Sequence, residues 1–241
     1  MQIFGKYGKR GNVMEAIVLL SGGVDSTTCL AEAVARFGPD QVLALTIFYG
    51  QKHAKEIEAA KQVCAFYGVE QQIQDVSAVF ALSDCPLLEG STQAIDHESY
   101  GEQLEKMGGC GTVSTYVPFR NGLFLSYAAA IALVRGAHVI LYGAHADDAC
   151  GDAYPDCTIE FVQSMGKAIW EGSGKQLSLE APFVQLPKAG VVARGLALKA
   201  PYELTWSCYE GGDRPCGTCG TCRDRAAAFA ANGVADPALN R

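Results

Sequence analysis

The segment Leu20-Ser21-Gly22-Gly23-Val24-Asp25-Ser26-Thr27-Thr28-Cys29-Leu30 gathers hydroxyl side chains, two consecutive glycines and one carboxylate. Hydroxyls and backbone N–H groups are donors, so the chemistry on offer is the holding of an anion. The run Ala16 to Leu20 ahead of it is apolar, and Leu30, Val34 and Phe37 behind it recur at helical spacing. Strand, glycine turn and helix, in that order, aim N–H groups and the positive end of a helix at one point. The glycines let the turn take angles that other residues resist. No G-x-x-x-x-G-K-[ST] occurs, and no G-x-G-x-x-G follows a strand, so neither the common triphosphate loop nor a dinucleotide site is supported. The expected ligand is a phosphate, with Asp25 either capping the helix or facing magnesium.

A second cluster lies near the other end. Cys208, Cys216, Cys219 and Cys222 follow a C-x7-C-x2-C-x2-C spacing. The two C-x2-C turns can set three sulfurs on one centre, and Cys208 can close a tetrahedron. Four thiolates make a closed structural zinc site with no open position for catalysis. Arg214, Arg223 and Arg225 stand near enough in sequence to offset its negative charge. The bacterial iron–sulfur run also opens C-x2-C-x2-C but continues with Cys and Pro. Here Ala226 and Ala227 stand in those places, which favours zinc. The other six cysteines are scattered, as expected of small buried residues in a reducing compartment.

The elements that must position these groups follow from apolar periodicity. Strands are expected at 16–20, 41–48, 69–76 and 138–142, with a short extended piece at 176–179. Helices are expected after the glycine turn and at 55–67, 121–135, 158–170, 187–199 and 223–231. Their alternation predicts an α/β fold with a doubly wound, mostly parallel sheet. Residues 83 to 115 break the rhythm and are expected to form a lid. We divide the chain into an extension (1–13), a nucleotide-binding domain (14–200) and a zinc-binding segment packed on it (201–241). The net charge of −7 argues against a nucleic-acid surface. No apolar run reaches the ~18 residues of a membrane helix. The first residues lead into no signal-peptide core, so a cytoplasmic location is expected.

The S-G-G-x-D-S-[ST] turn resembles the pyrophosphate loop of the ATP pyrophosphatases. Further segments narrow the resemblance: Tyr49-Gly50-Gln51-Lys52-His53, Val117-Pro118-Phe119-Arg120-Asn121, Tyr154-Pro155-Asp156-Cys157 and Thr205-Trp206-Ser207-Cys208-Tyr209. With the four-cysteine tail, the chain from about Ala16 to Ala231 resembles the 7-cyano-7-deazaguanine synthases of queuosine biosynthesis. Many of these carry Gln where Val24 stands, Gly where Phe119 stands, and Cys-Glu-Thr-Asp where this chain has His145-Ala146-Asp147-Asp148.

The resemblance implies an adenine nucleotide alpha hydrolase-like fold and a carbon–nitrogen ligase. The implied substrates are ATP, 7-carboxy-7-deazaguanine and ammonium, with Mg²⁺ accompanying ATP and one structural zinc per chain. The acid is adenylated, ammonia gives the amide, the amide is adenylated in turn, and loss of AMP leaves the nitrile. Residues 20–30 would then hold ATP, with Asp25, Lys52 and Arg120 as catalytic groups and His53 as a possible proton carrier. Asn121, Asp148, Asp152 and Asp156 are the candidates for substrate, and Asp147 with Asp148 for magnesium. A carboxylate such as Asp152 or Asp156 matches the two adjacent N–H donors of a deazaguanine; Asp156 can equally cap a helix starting at Thr158. No glutaminase segment is visible: Gln2 occupies the place of an N-terminal nucleophilic cysteine, and the Gly109-Cys110-Gly111 stretch has too little chain around it. Free ammonium is therefore the expected nitrogen donor. A homodimer is implied by the family alone. The alternative is a related adenylating enzyme that stops at the amide or joins the activated base to a protein or RNA.

Overall fold

The apolar run ahead of the glycine turn forms β1 (Ala16–Leu19), the middle strand of a five-stranded sheet of order β3-β2-β1-β4-β5. The protein is described by a computed structural model covering residues 13 to 240. The extension expected at 1–13 lies outside these residues except for Val13. The other strands are β2 (Val42–Phe48), β3 (Glu70–Asp75), β4 (Val139–Leu141) and β5 (Ser178–Glu180). Every pairing is parallel, with Ile17 beside Leu43 on one side and Ile140 on the other. Strands β1, β2 and β4 are buried on both faces, so they read as unbroken apolar runs. Strand β3 is an edge, and its Glu-Gln-Gln-Ile-Gln-Asp sequence leaves polar groups facing outward.

Helices cover both faces. Against one face, α1 (Val24–Phe37), α2 (Lys55–Tyr67) and α8 (Lys188–Ala197) bury Leu30, Val63 and Val191 against Val18 and Leu141. On the other, α5 (Arg120–Arg135) and α7 (Ile159–Gly172) pack Leu125, Ala128 and Ile169 onto Ile17, Leu43 and Ile140. Strand β1 feeds α1 and β2 to one side while β4 lies on its other side. The C-terminal ends of β1 and β4 therefore open a crevice where the strand order reverses, the usual ligand position in such sheets. Three short helices, α3 (Ser77–Phe80), α4 (Tyr100–Lys106) and α6 (Ala146–Ala149), sit in connections, and α9 (Gly220–Ala231) packs beside α8.

Residues 83 to 115 are more ordered than an aperiodic stretch suggests. Helix α4 opens on a capping box in which Ser99 and Glu102 each bond the other's backbone N–H. Cys85, Leu87, Leu88, Leu104 and Val113 are buried in the core. The segment is thus anchored along its length, with Lys52 N–H bonded to the Leu87 carbonyl and Glu89 N–H to that of Gly50.

Candidate active site

The glycine turn expected to hold phosphate is braced by its own hydrogen bonds. Ser21 and Ser26 hydroxyls lie 3.0 Å apart, Ser21 N–H reaches Ser26 Oγ at 3.2 Å, and Gly23 N–H reaches Ser21 Oγ at 3.3 Å. No side chain caps α1, so the N–H groups of its first turn face the crevice. Gly22 has φ +90°, and a Cβ there would lie 2.4 Å from the Glu56 carbonyl and 2.6 Å from Ala60 N. Its role is close approach: the first turn of α2 is pressed onto the loop. A cavity of about 700 Å³ spreads from this turn. Leu20, Ser21, Gly23, Asp25 and Ser26 wall it, while Gly22, Val24, Thr27, Thr28, Cys29 and Leu30 do not. The last five are fully buried behind the turn, and Thr28 is bonded to the Tyr202 hydroxyl at 2.7 Å.

Beside the turn, charges converge from three elements. Lys188, at the start of α8, places Nζ 2.5 Å from Asp25 Oδ2 and 3.5 Å from His145 Nε2. His145 Nε2 is 3.3 Å from Asp148 Oδ2 and 3.8 Å from Asp25 Oδ1. Burial pushes the Asp25 carboxyl up, but the Lys188 ammonium and His145 more than reverse this and hold it below the ordinary range. Burial likewise disfavours a charged Lys188, and Asp25 and Asp148 outweigh it, so the ammonium is retained. Asp148 is shifted up by burial, which His145 and Lys188 offset only in part. Asp25 Oδ1 and His145 Nδ1 are buried without hydrogen-bond partners. Asp147 is used differently: its Oδ2 accepts Lys188 N–H at 2.8 Å and so fixes the start of α8. Asp224 of α9 adds a further carboxylate to the wall, raised by burial. The sequence offered only a Pro-Lys helix start to flag Lys188.

Arg120 marks another part of the cavity. Its guanidinium donates to the Tyr49 hydroxyl at 3.1 Å and lies 5.0 Å from that ring's centre. Phe119, just before it, holds φ 53°, a left-handed conformation more usual for glycine. Its N–H bonds the Tyr116 hydroxyl at 2.9 Å, and its ring stacks edge-on against Phe161 at 6.0 Å. Asn121 also walls the cavity, with its side chain donating toward Cys157 Sγ at 3.2 Å.

Four expected site residues lie elsewhere. Asp156 is 3 % exposed and outside the cavity wall, and its Oδ2 accepts Asn121 N–H at 2.8 Å in the first turn of α5. The helix after Thr158 is capped by Thr158 itself, which accepts Phe161 N–H at 3.1 Å. Asp152 is exposed on a turn with φ 61° and does not wall the cavity. Lys52 reaches the Gln93 carbonyl at 3.4 Å, also outside the cavity wall. The His53 ring packs against the backbone of Gly211, where a Cβ would lie 2.0 Å away. Two groups that sequence reasoning missed, Glu56 and Lys188, do line the cavity.

The four cysteines converge as their spacing predicts, with all sulfurs within 4.8 Å of one another. A tetrahedron of Zn–S bonds sets its sulfurs about 3.8 Å apart, so the donor set fits one such ion. Backbone N–H groups of Cys216, Thr218 and Cys219 point at cluster sulfurs at 3.3 to 3.4 Å, which stabilises thiolates. The nearby arginines serve other partners. Arg225 makes a buried two-point pair with Asp236 at 2.7 and 2.9 Å, Arg223 pairs with Glu102 at 3.2 Å, and Arg214 is exposed.

A parallel doubly wound sheet, a locked glycine turn under an uncapped helix and a cavity across the strand ends define a nucleotide-binding α/β enzyme of the adenine nucleotide alpha hydrolase type. The chain belongs to the family described as queuosine biosynthesis protein QueC, whose model matches residues 15–233. A relative from Archaeoglobus fulgidus named 7-cyano-7-deazaguanine synthase is 44% identical over 228 residues, covering 94% of this chain and 90% of that protein. Another of that name, from Caldicellulosiruptor bescii, is 41% identical over 224 residues, covering 93% and 96%. Among solved structures, the U34-tRNA thiolase NcsA from Methanococcus maripaludis, with its 4Fe–4S cluster, aligns with a TM-score of 0.50 at 18% identity. That alignment covers 84% of this chain and 63% of the thiolase, and the likeness is one of fold.

Proposed function

We propose that this chain converts 7-carboxy-7-deazaguanine and ammonium to 7-cyano-7-deazaguanine, using ATP for two successive adenylations. The observation that carries this reading is the single cavity joining the phosphate turn and Lys188 to the Arg120 guanidinium. Its volume suits small-molecule ligands. A carboxylate is a poor electrophile because oxide must leave; adenylation makes AMP the leaving group. The first-turn N–H groups of α1, with Ser21 and Ser26, receive the departing pyrophosphate, and Lys188 neutralises charge beside it. Arg120 holds the substrate carboxylate, and Asn121 borders it. Such work is placement and charge stabilisation.

Magnesium fits beside the turn, since Asp25 Oδ1 is buried without a hydrogen bond and His145 links Asp25 to Asp148 close by. When bound, it supplies charge neutralisation at the phosphate oxygens. Zinc is the metal this reading assigns to Cys208, Cys216, Cys219 and Cys222. Ammonium as nitrogen donor, a homodimer, no nucleic-acid partner and a cytoplasmic location belong to the same reading. Lys52, Asp152 and Asp156 do not, for the positions given above.

The test supplies the acid, ATP, Mg²⁺ and either ammonium or glutamine, and identifies products by mass spectrometry. The nitrile is expected with ammonium alone. A product that appears only with glutamine, or only after a protein or RNA acceptor is added, would overturn the reading.

A further inference from the structure

Among the described residues, Glu56 and Asp224 are the carboxylates of the cavity wall with neither a hydrogen bond nor an ion pair, whereas Asp25, Asp147 and Asp148 are each engaged. Asp224 lies on α9 and interacts with the Lys188 and Asp148 charges, whereas Glu56 lies on α2. Two observations fix where Glu56 sits. The first turn of α2 is pressed onto Gly22, so Glu56 adjoins the phosphate turn. Glu56 also walls the same cavity as Arg120 and as Tyr49, whose hydroxyl accepts from the Arg120 guanidinium at 3.1 Å. It therefore borders the space shared by the turn assigned to phosphate and the group assigned to the substrate carboxylate. The N–H edge of a deazaguanine lies on the opposite side of the ring system from its 7-substituent. A carboxylate beside Arg120 is thus placed for the reacting carbon rather than for that edge.

We propose that Glu56 binds ammonium and acts as the general base that frees its lone pair. This rests on the nitrile-synthase reading. An ammonium ion carries four N–H donors and a positive charge and is unreactive until it loses a proton. Glu56 takes that proton, and the ammonia lone pair forms the C–N bond at the acyl carbon. The C–O bond to AMP then breaks with its electron pair, and one N–H proton passes to solvent. In the second round Glu56, having released its proton to solvent, removes an N–H proton from the adenylated amide. That electron pair completes the C≡N bond as AMP leaves.

The environment suits the role. Arg120 of α5 and Tyr49 from the β2–α2 connection line the cavity with Glu56 and interact with it electrostatically. Burial pushes Glu56 up to about 7, against the opposing pull of Arg120, and a base near the working pH transfers protons best.

The experiment compares wild type with Glu56→Gln in three assays at pH 7.5, with circular dichroism to establish folding. Acid-dependent exchange of pyrophosphate into ATP reports adenylation alone. Amide formation from ammonium reports the whole step. Hydroxamate formation from hydroxylamine, which is mostly uncharged at this pH, reports attack without a need for deprotonation. We expect exchange and hydroxamate formation to stay within about 3-fold of wild type while the ammonium reaction falls about 100-fold. The variant's ammonium rate should also climb with pH as free ammonia accumulates. Loss of exchange would place Glu56 in nucleotide or acid binding and overturn the proposal. Equal loss with both amines, or no loss with either, would overturn it as well. A wild-type enzyme that makes no amide or nitrile would instead sink the functional reading itself.

Discussion

At the residue scale, the account turns on a few charges kept out of water. Lys188 and Asp25 are paired at 2.5 Å with side chains only 14% and 22% exposed. Replacing Lys188 with Met leaves Asp25 buried beside Asp148 without its main counter-charge. We expect adenylation, read as pyrophosphate exchange, to fall by about 100-fold or more. Exchange at the wild-type rate would remove Lys188 from the phosphate site. Glu56 makes a separate prediction about stability. Its pKa rises from the ordinary Glu value to about 7 on folding, so the folded protein holds a proton that the unfolded chain has lost between about 4.5 and 7. Stability should therefore drain away as pH rises through that window. Glu56→Gln lacks this loss. It should be more stable than wild type by about 1 to 3 kcal/mol at pH 8 and equal to it at pH 4, by urea denaturation. Equal midpoints at both values would show that the Glu56 environment is not desolvating.

At the element scale, the site depends on how closely helices approach the turn. Gly22 allows α2 to touch the loop, and Gly22→Ala must push a methyl into the Glu56 carbonyl from a left-handed backbone. A loss of about 2 kcal/mol or more, with loss of exchange activity, is expected from thermal unfolding and assay together. A folded, fully active Ala variant would refute the close approach. Helix α9 is held by the Arg225–Asp236 pair, whose side chains are 5% and 4% exposed. Asp236→Ala strands the guanidinium and should cost about 3 to 5 kcal/mol; a shift under 1 kcal/mol would contradict that pairing.

These contacts explain what the sequence conveyed. Apolar strands and helix periods placed β1 and α2 within a residue, because burial on both faces of a parallel sheet writes itself into composition. Turn chemistry marked the phosphate loop, and thiol spacing marked the metal cluster. Lys188 and Glu56 were not legible, since each carries an ordinary surface residue type on a helix start and meets the cavity only through tertiary packing. Asp156 misled for the converse reason. Its Tyr-Pro-Asp-Cys motif singles the residue out but does not say whether the carboxylate faces a ligand or α5. The capping box of Ser99 and Glu102 lies in the sequence amid glycines and charges that carry no period.

At the scale of the whole molecule, the cysteine segment joins the two sides of the cavity. Trp206 N–H bonds the Gly22 carbonyl at 2.9 Å, and the Trp206 indole bonds the Cys208 carbonyl at 2.8 Å. From the same segment, the Tyr209 hydroxyl meets that of Tyr100 at 3.0 Å, and Glu210 meets His97 at 2.8 Å. The segment thereby ties the phosphate turn to residues 97 to 102. Cys219→Ser should release the bound metal and lower the melting temperature by about 10 °C or more. Metal analysis of the native protein should show one zinc per chain. Iron with visible absorbance, or a metal-free variant of undiminished stability, would contradict the assignment.

The central claim is that one phosphate turn serves two adenylations on the way to a nitrile. The most direct test is the ratio of AMP formed to nitrile formed, with the acid and then the amide as starting substrate. The account predicts two AMP per nitrile from the acid and one from the amide, with ATP and Mg²⁺ required in both cases. An inert amide, or a reaction that ends at the amide after a single AMP, would contradict it.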